Sequence, residues 1–404
     1  MSKLKVLIAG GGLGGLCLAQ GLTGAGIDCE VFEKEAGVLQ SGYRLHMNGD
    51  GGNALRACLP ESLYELYRQT SRKNPRRELA VMIDSQAVEK AARPHIGPPN
   101  DPIRPHTAVN RRTLRQILLS GMEEKVRFGT AAVRFEQDGQ GVRLHLSDGS
   151  IAEGDLLVAA DGINSAVRRQ LMPELEPADT GMRTIYAKSP LTEEIAASLP
   201  EVLFDGFIGA TDPTGTFAGI GAFVPRRPIA EAAAELAPGS VIDPVDPYMM
   251  IALSRGFGPL PLSDSELREA SVERLHALML ELTEGWAVPL RGLIERVEVP
   301  SIFPQSVRVL KPAAPWDTGR VTLLGDAIHA MPPTFGAGAN LALKDAGELA
   351  ARLIQAEHGE LSLLQAVAGY EEAMRGYAYP ILEMSVNPAF KTDFSQGPGG
   401  QAAG

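Results

Sequence analysis

Three uninterrupted apolar runs in this sequence are each followed by a turn that contains glycine. The runs are residues 4–9, 156–160 and 321–324, and helical spacing of apolar positions follows them at 16–22, from 165 onward and at 340–356. Strands that are buried on both faces of a parallel sheet have continuous apolar sequences of this kind. The pattern therefore predicts an α/β fold in which three parallel strands each lead into a helix.

Elsewhere polar and apolar positions alternate. Residues 126–154 alternate in this way and contain turn signals at Asp138–Gly139 and Asp148–Gly149, which predicts a β-meander. Between about residues 183 and 289, short strand-like pieces are mixed with polar helical stretches. We interpret this region, together with the proline-rich residues 92–106, as a second α+β layer inserted into the first domain.

The turn after the first strand carries a glycine fingerprint. Gly10, Gly12 and Gly15 have G-x-G-x-x-G spacing, which permits a tight turn, close approach of a pyrophosphate and close packing of helix against strand. A second strand, predicted over residues 29–32, ends at Glu33, whose carboxylate can accept hydrogen bonds from a ribose 2′-hydroxyl. Because a carboxylate here argues against a 2′-phosphate, we predict FAD or NAD at this turn rather than NADP.

The turns after the other two apolar strands carry acidic residues. Asp161 and Gly162 follow the second strand, with Ser165 at the start of a helix and Arg168 one turn further along. Asp326 follows the third strand, at the carboxyl end where open α/β sheets bind ligands. The next stretch, GDAIHAMPPTFGAGAN, combines prolines with glycines and indicates close approach of a ligand to the backbone.

Composition narrows the classes of protein. The chain has 404 residues, 44% hydrophobic and 22% charged, which suits about two folded domains. A net charge of −11 without a run of lysine or arginine argues against a nucleic-acid partner. The N-terminal apolar stretch is too short to span a bilayer, so we expect a cytoplasmic protein without membrane insertion. Cys17, Cys29 and Cys58 lack C-x-x-C spacing, and we expect neither disulfides nor a metal site.

These three segments together, at these separations, resemble the class A flavoprotein monooxygenases of the para-hydroxybenzoate hydroxylase type. The resemblance covers nearly the whole chain except residues 183–289. It implies that the glycine fingerprint and Glu33 bind the ADP half of FAD, that Asp161–Gly162 serves FAD and the nicotinamide donor, and that Asp326 holds the ribityl and pyrophosphate region. It also implies an FAD contact for Arg111, which begins an R-x-x-L-x-x-x-L pattern.

Residues 333–340 match the family's loop beside the isoalloxazine ring. Glycines at 336 and 338 would let backbone N–H groups approach the pyrimidine edge of the flavin, and the helix that begins near Asn340 adds its positive end. Arg44 is expected beside the flavin on the substrate side. The full set of implied cofactor-binding residues is Gly10, Gly12, Leu13, Gly14, Gly15, Glu33, Lys34, Arg44, Arg111, Asp161, Gly162, Asp326, Pro333, Gly336, Gly338, Ala339 and Asn340.

The loop also departs from the family pattern. Ile328 stands where family members commonly have alanine, Lys344 where they often have a carboxylate, and Ala337 and Ala339 where glutamine and valine are frequent. We therefore expect this loop to act through its backbone, and we assign His329 a structural hydrogen-bonding role. Three segments, at residues 42–59, 109–129 and 391–394 (KTDF), are most similar to the tetracycline-inactivating branch and to tailoring enzymes of polycyclic natural products.

The resemblance implies a cofactor-borne reaction without a Ser/His/Asp constellation. NADPH or NADH would reduce FAD, O₂ would add at flavin C4a, and the hydroperoxide would transfer one oxygen atom to an aromatic or polycyclic small molecule. Hydroxylation is the first expectation, and epoxidation and Baeyer–Villiger insertion stay open. Phe204, Phe217 and Phe223 are candidate substrate contacts in the second layer.

Two alternatives remain. One is an FAD-dependent reductase of the same fold, and the other is a flavin-loaded protein that sequesters a metabolite without turnover. The sequence has no second glycine fingerprint, which excludes a dedicated NADPH domain. Its two tryptophans, Trp286 and Trp316, exclude the W-x-W-x-I-P halogenase signature.

We expect the following organisation, in a monomer or weak dimer. A discontinuous Rossmann-like FAD-binding domain comprises residues 1–72, 103–178 and 290–365. An inserted α+β substrate-binding domain comprises residues 73–102 and 179–289. A C-terminal helix follows at 366–394, and a disordered tail at 395–404.

Overall fold

A computed structural model of the chain describes residues 3–37, 43–98, 106–256 and 258–386. The strands are β1 Lys5–Ala9, β2 Asp28–Glu33, β3 Arg44–Met47, β4 Ala80–Asp84, β5 Glu89–Arg93, β6 Thr107–Asn110, β7 Val126–Phe128, β8 Ala132–Gln137, β9 Val142–Leu146, β10 Ile151–Gly154, β11 Leu156–Ala159, β12 Ala178–Pro190, β13 Phe207–Thr211, β14 Phe217–Phe223, β15 Tyr248–Ser254, β16 Phe303–Val309 and β17 Val321–Leu323. The helices are α1 Leu13–Gly24, α2 Gly49–Cys58, α3 Glu61–Thr70, α4 Arg111–Leu119, α5 Ala166–Leu171, α6 Glu193–Ser198, α7 Ile229–Leu236, α8 Asp264–Glu269, α9 Val272–Leu282, α10 Val288–Glu295, α11 Asp326–His329, α12 Gly338–Glu357 and α13 Leu363–Val386.

A parallel sheet of five strands, in the order β17-β11-β1-β2-β7, brings the three predicted strand–turn–helix segments together. The central strand β1 pairs with β2 on one side and β11 on the other, and β11 pairs with β17. Its residues Val6, Leu7 and Ile8 are fully buried, which explains the uninterrupted apolar sequence. Because carboxyl ends of adjacent parallel strands lie at one edge, the turns after β1, β11 and β17 are neighbours.

The α/β architecture predicted from the sequence is confirmed, and so is the meander from residue 132 onward. The first part of the predicted meander, β7, instead pairs parallel with β2 at the edge of the five-stranded sheet. Strands β8, β9 and β10 form an antiparallel three-stranded sheet, with β9 paired to both of its neighbours. Helix α1 begins at Leu13 and therefore starts three residues earlier than the apolar spacing alone predicted. Residues 13–22 of this helix are all buried, because it packs against the sheet and against α12 and α2.

The second layer is a seven-stranded sheet in the order β16-β12-β15-β14-β13-β4-β5, with its own hydrophobic core. Strand β16 pairs antiparallel with β12, and the residues Leu290, Leu293 and Ile302 belong to this second core. The expected domain boundary at residue 290 therefore differs from the extent of this sheet, which continues to Val309. The reason is that β16 joins the edge of this sheet by backbone pairing with β12. The alternating sequence of β16 predicts a strand but does not predict which sheet it joins.

The final helix described, α13, ends at Val386. The remainder of the expected C-terminal helix, the expected tail at 395–404 and the KTDF segment lie outside the described residues. Within the described part of the chain, no helix has both the length and the apolar character that a bilayer crossing requires.

Candidate functional site

A cavity of about 800 Å³ lies between the carboxyl edge of the parallel sheet and one face of the seven-stranded sheet. Residues from all three turns and from the second layer line it. Of the residues singled out from the sequence, those in the cavity wall are Gly12, Leu13, Gly14, Gly15, Arg44, Arg111, Gly162, Asp326, Pro333, Gly336, Gly338, Ala339 and Phe217. The cavity thus joins the candidate cofactor turns to the candidate substrate layer.

The glycine turn has the geometry of a phosphate cradle. Gly10 has φ +106° and its amide donates to the Phe32 carbonyl, which ties the turn to the end of β2. A Cβ on Gly15 would lie 2.1 Å from the Gly10 carbonyl oxygen, so helix and turn touch backbone to backbone. A Cβ on Gly12 would instead meet no atom within 4 Å. The open space therefore lies beside Gly12, at the N-terminus of α1, where an anion is favoured.

Glu33 lies at the floor of this turn. Its Oε2 accepts from the Gly11 amide at 2.9 Å and from Arg115 Nη2 at 2.9 Å, and its Oε1 accepts from the Glu35 amide. Arg115 also donates through Nε to the Gly11 carbonyl at 2.8 Å. Sequence reasoning singled out Arg111 and missed Arg115, although the spacing of one helical turn placed both on the same side of α4. Lys34, also singled out, is exposed and contacts Glu35 only at 3.8 Å.

The turn after β11 reaches the cavity through Ala160, Gly162 and Ile163, while Asp161 lies behind them, outside the cavity wall. Asp161 Oδ2 accepts from the Ala166 amide at 3.0 Å, while its Oδ1 is buried without a partner among the described residues. Burial raises the pKa of Asp161, and hydrogen bonds from Ser165 and nearby amides oppose that rise. Arg168 is fully buried and donates to the Ala327 carbonyl at 3.2 Å, which joins this turn to the one after β17.

In the third turn, Asp326 is exposed and lines the cavity, while buried hydrogen bonds on the side away from the cavity fix the backbone. Asp345 Oδ2 accepts from the Gly325 amide at 2.8 Å and contacts His329 Nε2 at 2.7 Å, and its Oδ1 accepts from the Tyr377 hydroxyl at 2.7 Å. Burial lowers the pKa of His329, but the charge and hydrogen bond of Asp345 outweigh burial, so the pKa is raised. His329 is fully buried and has the structural hydrogen bond that we assigned to it.

The glycine-rich loop lies against strand β3. Gly336 adopts a left-handed conformation with φ +61°, and a Cβ there would lie 3.1 Å from His46 Cβ. Asn340 is buried, and its Nδ2 donates at 2.9 Å to the carbonyls of Gly336 and His46. Asn340 therefore clamps the loop to β3 and is absent from the cavity wall, although the resemblance implied a cofactor contact for it.

The cavity wall is electropositive. Among its described residues are four guanidinium groups, of Arg44, Arg93, Arg111 and Arg308, against one carboxylate, that of Asp326. Arg44 is buried and donates to the carbonyls of Gly206 and Ala222 in the second layer, at 2.5 and 3.2 Å. Burial, aided by the charge of Arg72, lowers the pKa of Arg44 to about 9. The wall is therefore suited to an anionic group such as a pyrophosphate.

The seven-stranded sheet contributes an apolar, aromatic face. Phe207 and Phe217 lie across the paired glycines of β13 and β14: a Cβ on Gly219 would meet Phe207 at 2.9 Å, and one on Gly209 would meet Phe217 at 2.9 Å. Other apolar side chains of this wall are Met82, Met182, Tyr186 and Met250. The two phenylalanine rings thus cover the sheet at the floor of the cavity.

Two of the three phenylalanines expected at the substrate lie elsewhere. Phe204 packs against the core on the opposite side of the sheet. Phe223 is on the same face as Phe217 but is fully buried, because Ile229 of α7 and Tyr248 cover that end of the strand. Strand alternation predicts which face a side chain occupies, but not whether another element covers it.

Sequence reasoning also missed two tyrosines and two histidines that line the cavity. Tyr43 and Tyr186 stack with their ring centres 5.2 Å apart. His46 and His95 line the cavity next to the Gly336 loop, and burial, followed by the charges of His95 and Arg44, holds the pKa of His46 well below its usual value. Their meeting could not be seen in the sequence, because they come from three separate segments: Tyr43 and His46 at β3, His95 after β5 and Tyr186 in β12.

Comparison with known families gives one broad match. The model of the family described as "FAD binding domain" matches residues 3–236 and 273–372. The chain is 30% identical over 352 residues to an aurachin C monooxygenase/isomerase from Stigmatella aurantiaca, covering 86% of this chain and 80% of that protein. It is 32% identical over 401 residues to a dual O-methyltransferase/FAD-dependent monooxygenase from Cercospora beticola, covering 92% of this chain and 44% of that protein. The chain therefore spans less than half the length of this dual-function relative.

Solved structures share the fold. A Photorhabdus luminescens protein that has been proposed to be an FAD-containing monooxygenase superposes with a TM-score of 0.80 at 28% identity, over 96% of this chain and 98% of that one. The tetracycline destructase Tet(51) superposes with a TM-score of 0.63 at 18% identity, over 97% of this chain and 92% of that one. The latter likeness is one of fold alone.

Proposed function

Because this chain belongs to the FAD-binding family of class A-type flavin-dependent monooxygenases, we propose that it uses NADH or NADPH and O₂ to insert one oxygen atom into an aromatic or polycyclic small molecule. Hydroxylation is the reaction that we propose first. The family membership supports FAD as the cofactor. The electron donor, the substrate class and the type of oxygen insertion are our proposal.

One observation carries this proposal: a single cavity has cofactor-type turns at one side and an aromatic face at the other. The space beside Gly12, the buried and unpartnered Asp161 Oδ1 and the open Asp326 suit a dinucleotide with hydroxyl and phosphate groups. The wall formed by Tyr186, Phe217 and their neighbours suits a flat apolar ligand. A volume of about 800 Å³ is within the range of cofactor and ligand sites.

In this proposal the protein contributes binding, orientation and shielding. FAD, when bound, supplies the electron transfer and oxygen activation. The backbone around Gly12 and the N-terminus of α1 would hold the pyrophosphate, and Asp326 would hold hydroxyl groups of the ribityl chain. The loop at Gly336–Gly338 would present backbone N–H groups and the N-terminus of α12 to the flavin ring. The aromatic face would position the substrate and exclude water.

The test uses the purified full chain in three steps. The absorbance spectrum reports bound flavin, and oxidation of NADH and NADPH is then followed with and without phenols, quinones and tetracyclines. Products of any stimulating compound are analysed by mass spectrometry after reaction under ¹⁸O₂. We expect a flavin spectrum, oxidation accelerated by one compound class, and a product heavier by one ¹⁸O atom. A matched control is Gly12→Val, whose side chain would fill the open space at the turn.

Each other outcome contradicts a part of the proposal. A colourless protein that cannot be reconstituted with FAD would exclude flavin chemistry altogether. Reduction of the substrate without ¹⁸O incorporation would indicate a reductase of the same fold. A yellow protein that binds a panel compound tightly but oxidises neither donor would indicate a sequestering protein.

A further inference from the structure

A cluster of titratable side chains lies in the cavity wall, next to the Gly336 loop. His46 comes from β3, Glu78 from the segment before β4, and His95 from the segment after β5. Each offers one nitrogen or oxygen atom, and these three atoms lie within 4.8 Å of one another. His46 and His95 line the cavity.

The converging atoms lack hydrogen-bond partners. His46 Nδ1, His95 Nε2 and Glu78 Oε1 are all buried, and none has a hydrogen bond among the described residues. His95 Nε2 and Glu78 Oε1 are 3.1 Å apart and form an ion-pair contact, and neither atom has a further partner among the described residues. Buried polar atoms without partners are rare and need an explanation, of which a bound ion or water is the usual one. The unpartnered His46 Nδ1 beside the His95–Glu78 contact, with one ligand atom of each residue within 4.8 Å of the others, points to a shared ligand.

The other polar atoms of His46 and Glu78, which point away from the cluster, each have a hydrogen-bonding neighbour. His46 Nε2 is 2.9 Å from His106 Nδ1, and Glu78 Oε2 accepts from Arg72 Nη2 at 2.7 Å. In metal sites the ligating histidine commonly hydrogen-bonds through its other ring nitrogen, and ligating carboxylates are hydrogen-bonded as well. These contacts orient the free atoms of His46 and Glu78 towards each other.

Gly206 lies beside the cluster, and its lack of a side chain leaves room next to the ligand atoms. A Cβ on Gly206 would lie 2.5 Å from His95 Nε2 and 2.8 Å from Glu78 Oε1. Any other residue at this position would therefore occupy the space beside these two atoms. The Gly206 carbonyl accepts from Arg44, which fixes the backbone at this point.

We propose that His46, Glu78 and His95 bind one transition-metal dication at the edge of the cavity. Two imidazoles and one carboxylate are a ligand set for Zn²⁺ and for related nitrogen-preferring dications, and three protein ligands leave a coordination position for water or for an oxygen of a cavity ligand. The positive charges of Arg44 and Arg72 nearby disfavour hard cations that lack strong bonds to nitrogen. We therefore expect selection against Mg²⁺ and Ca²⁺. This site is independent of the proposed oxygenation.

The experiment measures metal binding by the full chain, treated with chelator and then dialysed. Co²⁺ is the probe, since its ligand-field absorption reports nitrogen and oxygen coordination, and Zn²⁺ competition and elemental analysis give affinity and stoichiometry. We expect one Co²⁺ per chain, displaced by one Zn²⁺ and unaffected by Mg²⁺ in excess. Absence of stoichiometric binding, or displacement by Mg²⁺, would overturn the proposal without reference to any enzymatic activity.

Variants identify the ligands. Glu78→Gln and His95→Gln should lose the Co²⁺ spectrum, and His106→Ala should weaken binding by about 10- to 100-fold through the hydrogen bond to His46. The matched control is His145→Gln, since His145 and Glu136 form another His–Glu contact at 3.1 Å, on the exposed side of β9. Loss of binding in this control, or full binding in Glu78→Gln, would place the metal elsewhere. Because the wild-type titration needs no variant, a variant that fails to fold leaves the test intact.

Discussion

Arg115 and Glu33 form a buried ion pair, with Arg115 Nη2 donating to Glu33 Oε2 at 2.9 Å, directly beneath the glycine turn. Arg115 also donates to the Gly11 carbonyl, and Glu33 accepts from the Gly11 amide. Both polar groups of Gly11 are thus bound by a single pair of side chains. The turn is held in shape before any ligand arrives.

This pair gives a prediction for Arg115→Met. Removing one partner of a buried pair leaves the other charge uncompensated, so we expect a loss of about 3 kcal/mol in the free energy of unfolding, and a lower flavin content. Guanidinium unfolding and the ratio of flavin to protein absorbance measure the two effects. Arg127→Met is the control, because Arg127 pairs with the exposed Asp148 and should cost at most about 1 kcal/mol. Equal losses in the two variants would contradict the structural role of the pair.

The two glycines Gly12 and Gly15 should respond differently to substitution by alanine. At Gly12 the added methyl group enters open space, so Gly12→Ala should keep the stability of the flavin-free protein and reduce flavin binding. At Gly15 the methyl group would lie 2.1 Å from a carbonyl oxygen, so Gly15→Ala should cost about 1–3 kcal/mol. Thermal unfolding after flavin removal and flavin titration separate these effects. A Gly12→Ala protein with normal flavin affinity would show that the space beside Gly12 is not the binding space.

Phe217 and Phe204 provide a test of the aromatic face. Phe217→Ala should raise KM, or abolish stimulation, for whichever compound accelerates NAD(P)H oxidation, because its ring lines the cavity. Phe204→Ala should mainly lower stability, by about 3 kcal/mol, since Phe204 packs against the second core. Steady-state kinetics and denaturant unfolding of both variants provide the comparison. If Phe204→Ala altered KM while Phe217→Ala did not, the assignment of the cavity floor would be wrong.

The His329–Asp345 contact predicts a pH dependence of stability. The pKa of His329 is raised in the folded protein above the value of about 6.5 expected when it is unfolded. A raised pKa means that the folded state binds the proton more tightly, so the contribution is complete below the unfolded pKa and is lost as the pH rises through the folded pKa. The free energy of unfolding of the wild type minus that of His329→Gln should therefore fall as the pH rises from about 6. A difference that is constant or that increases with pH would contradict the contact.

The local sequence determined the three strand–turn–helix segments and the meander. Uninterrupted apolar runs, turn glycines and helical spacing act over a few neighbouring residues, so they can be interpreted without knowledge of the rest of the chain. Because the three strands are parallel, their carboxyl ends lie at the same edge of the sheet, and Gly12, Gly162 and Asp326 therefore line one cavity.

Only the tertiary structure decided which side chains complete these turns and the cavity. Arg115 lies one helical turn beyond Arg111 and donates a hydrogen bond to Glu33, which is 82 residues away in the sequence. No sequence motif indicates this contact. Strand alternation put Phe217 and Phe223 on one face, but helix α7 covers the latter. His46 and His95 are brought together by the packing of separate segments. Contacts between distant segments depend on how whole elements pack, and no local pattern of residue types encodes them.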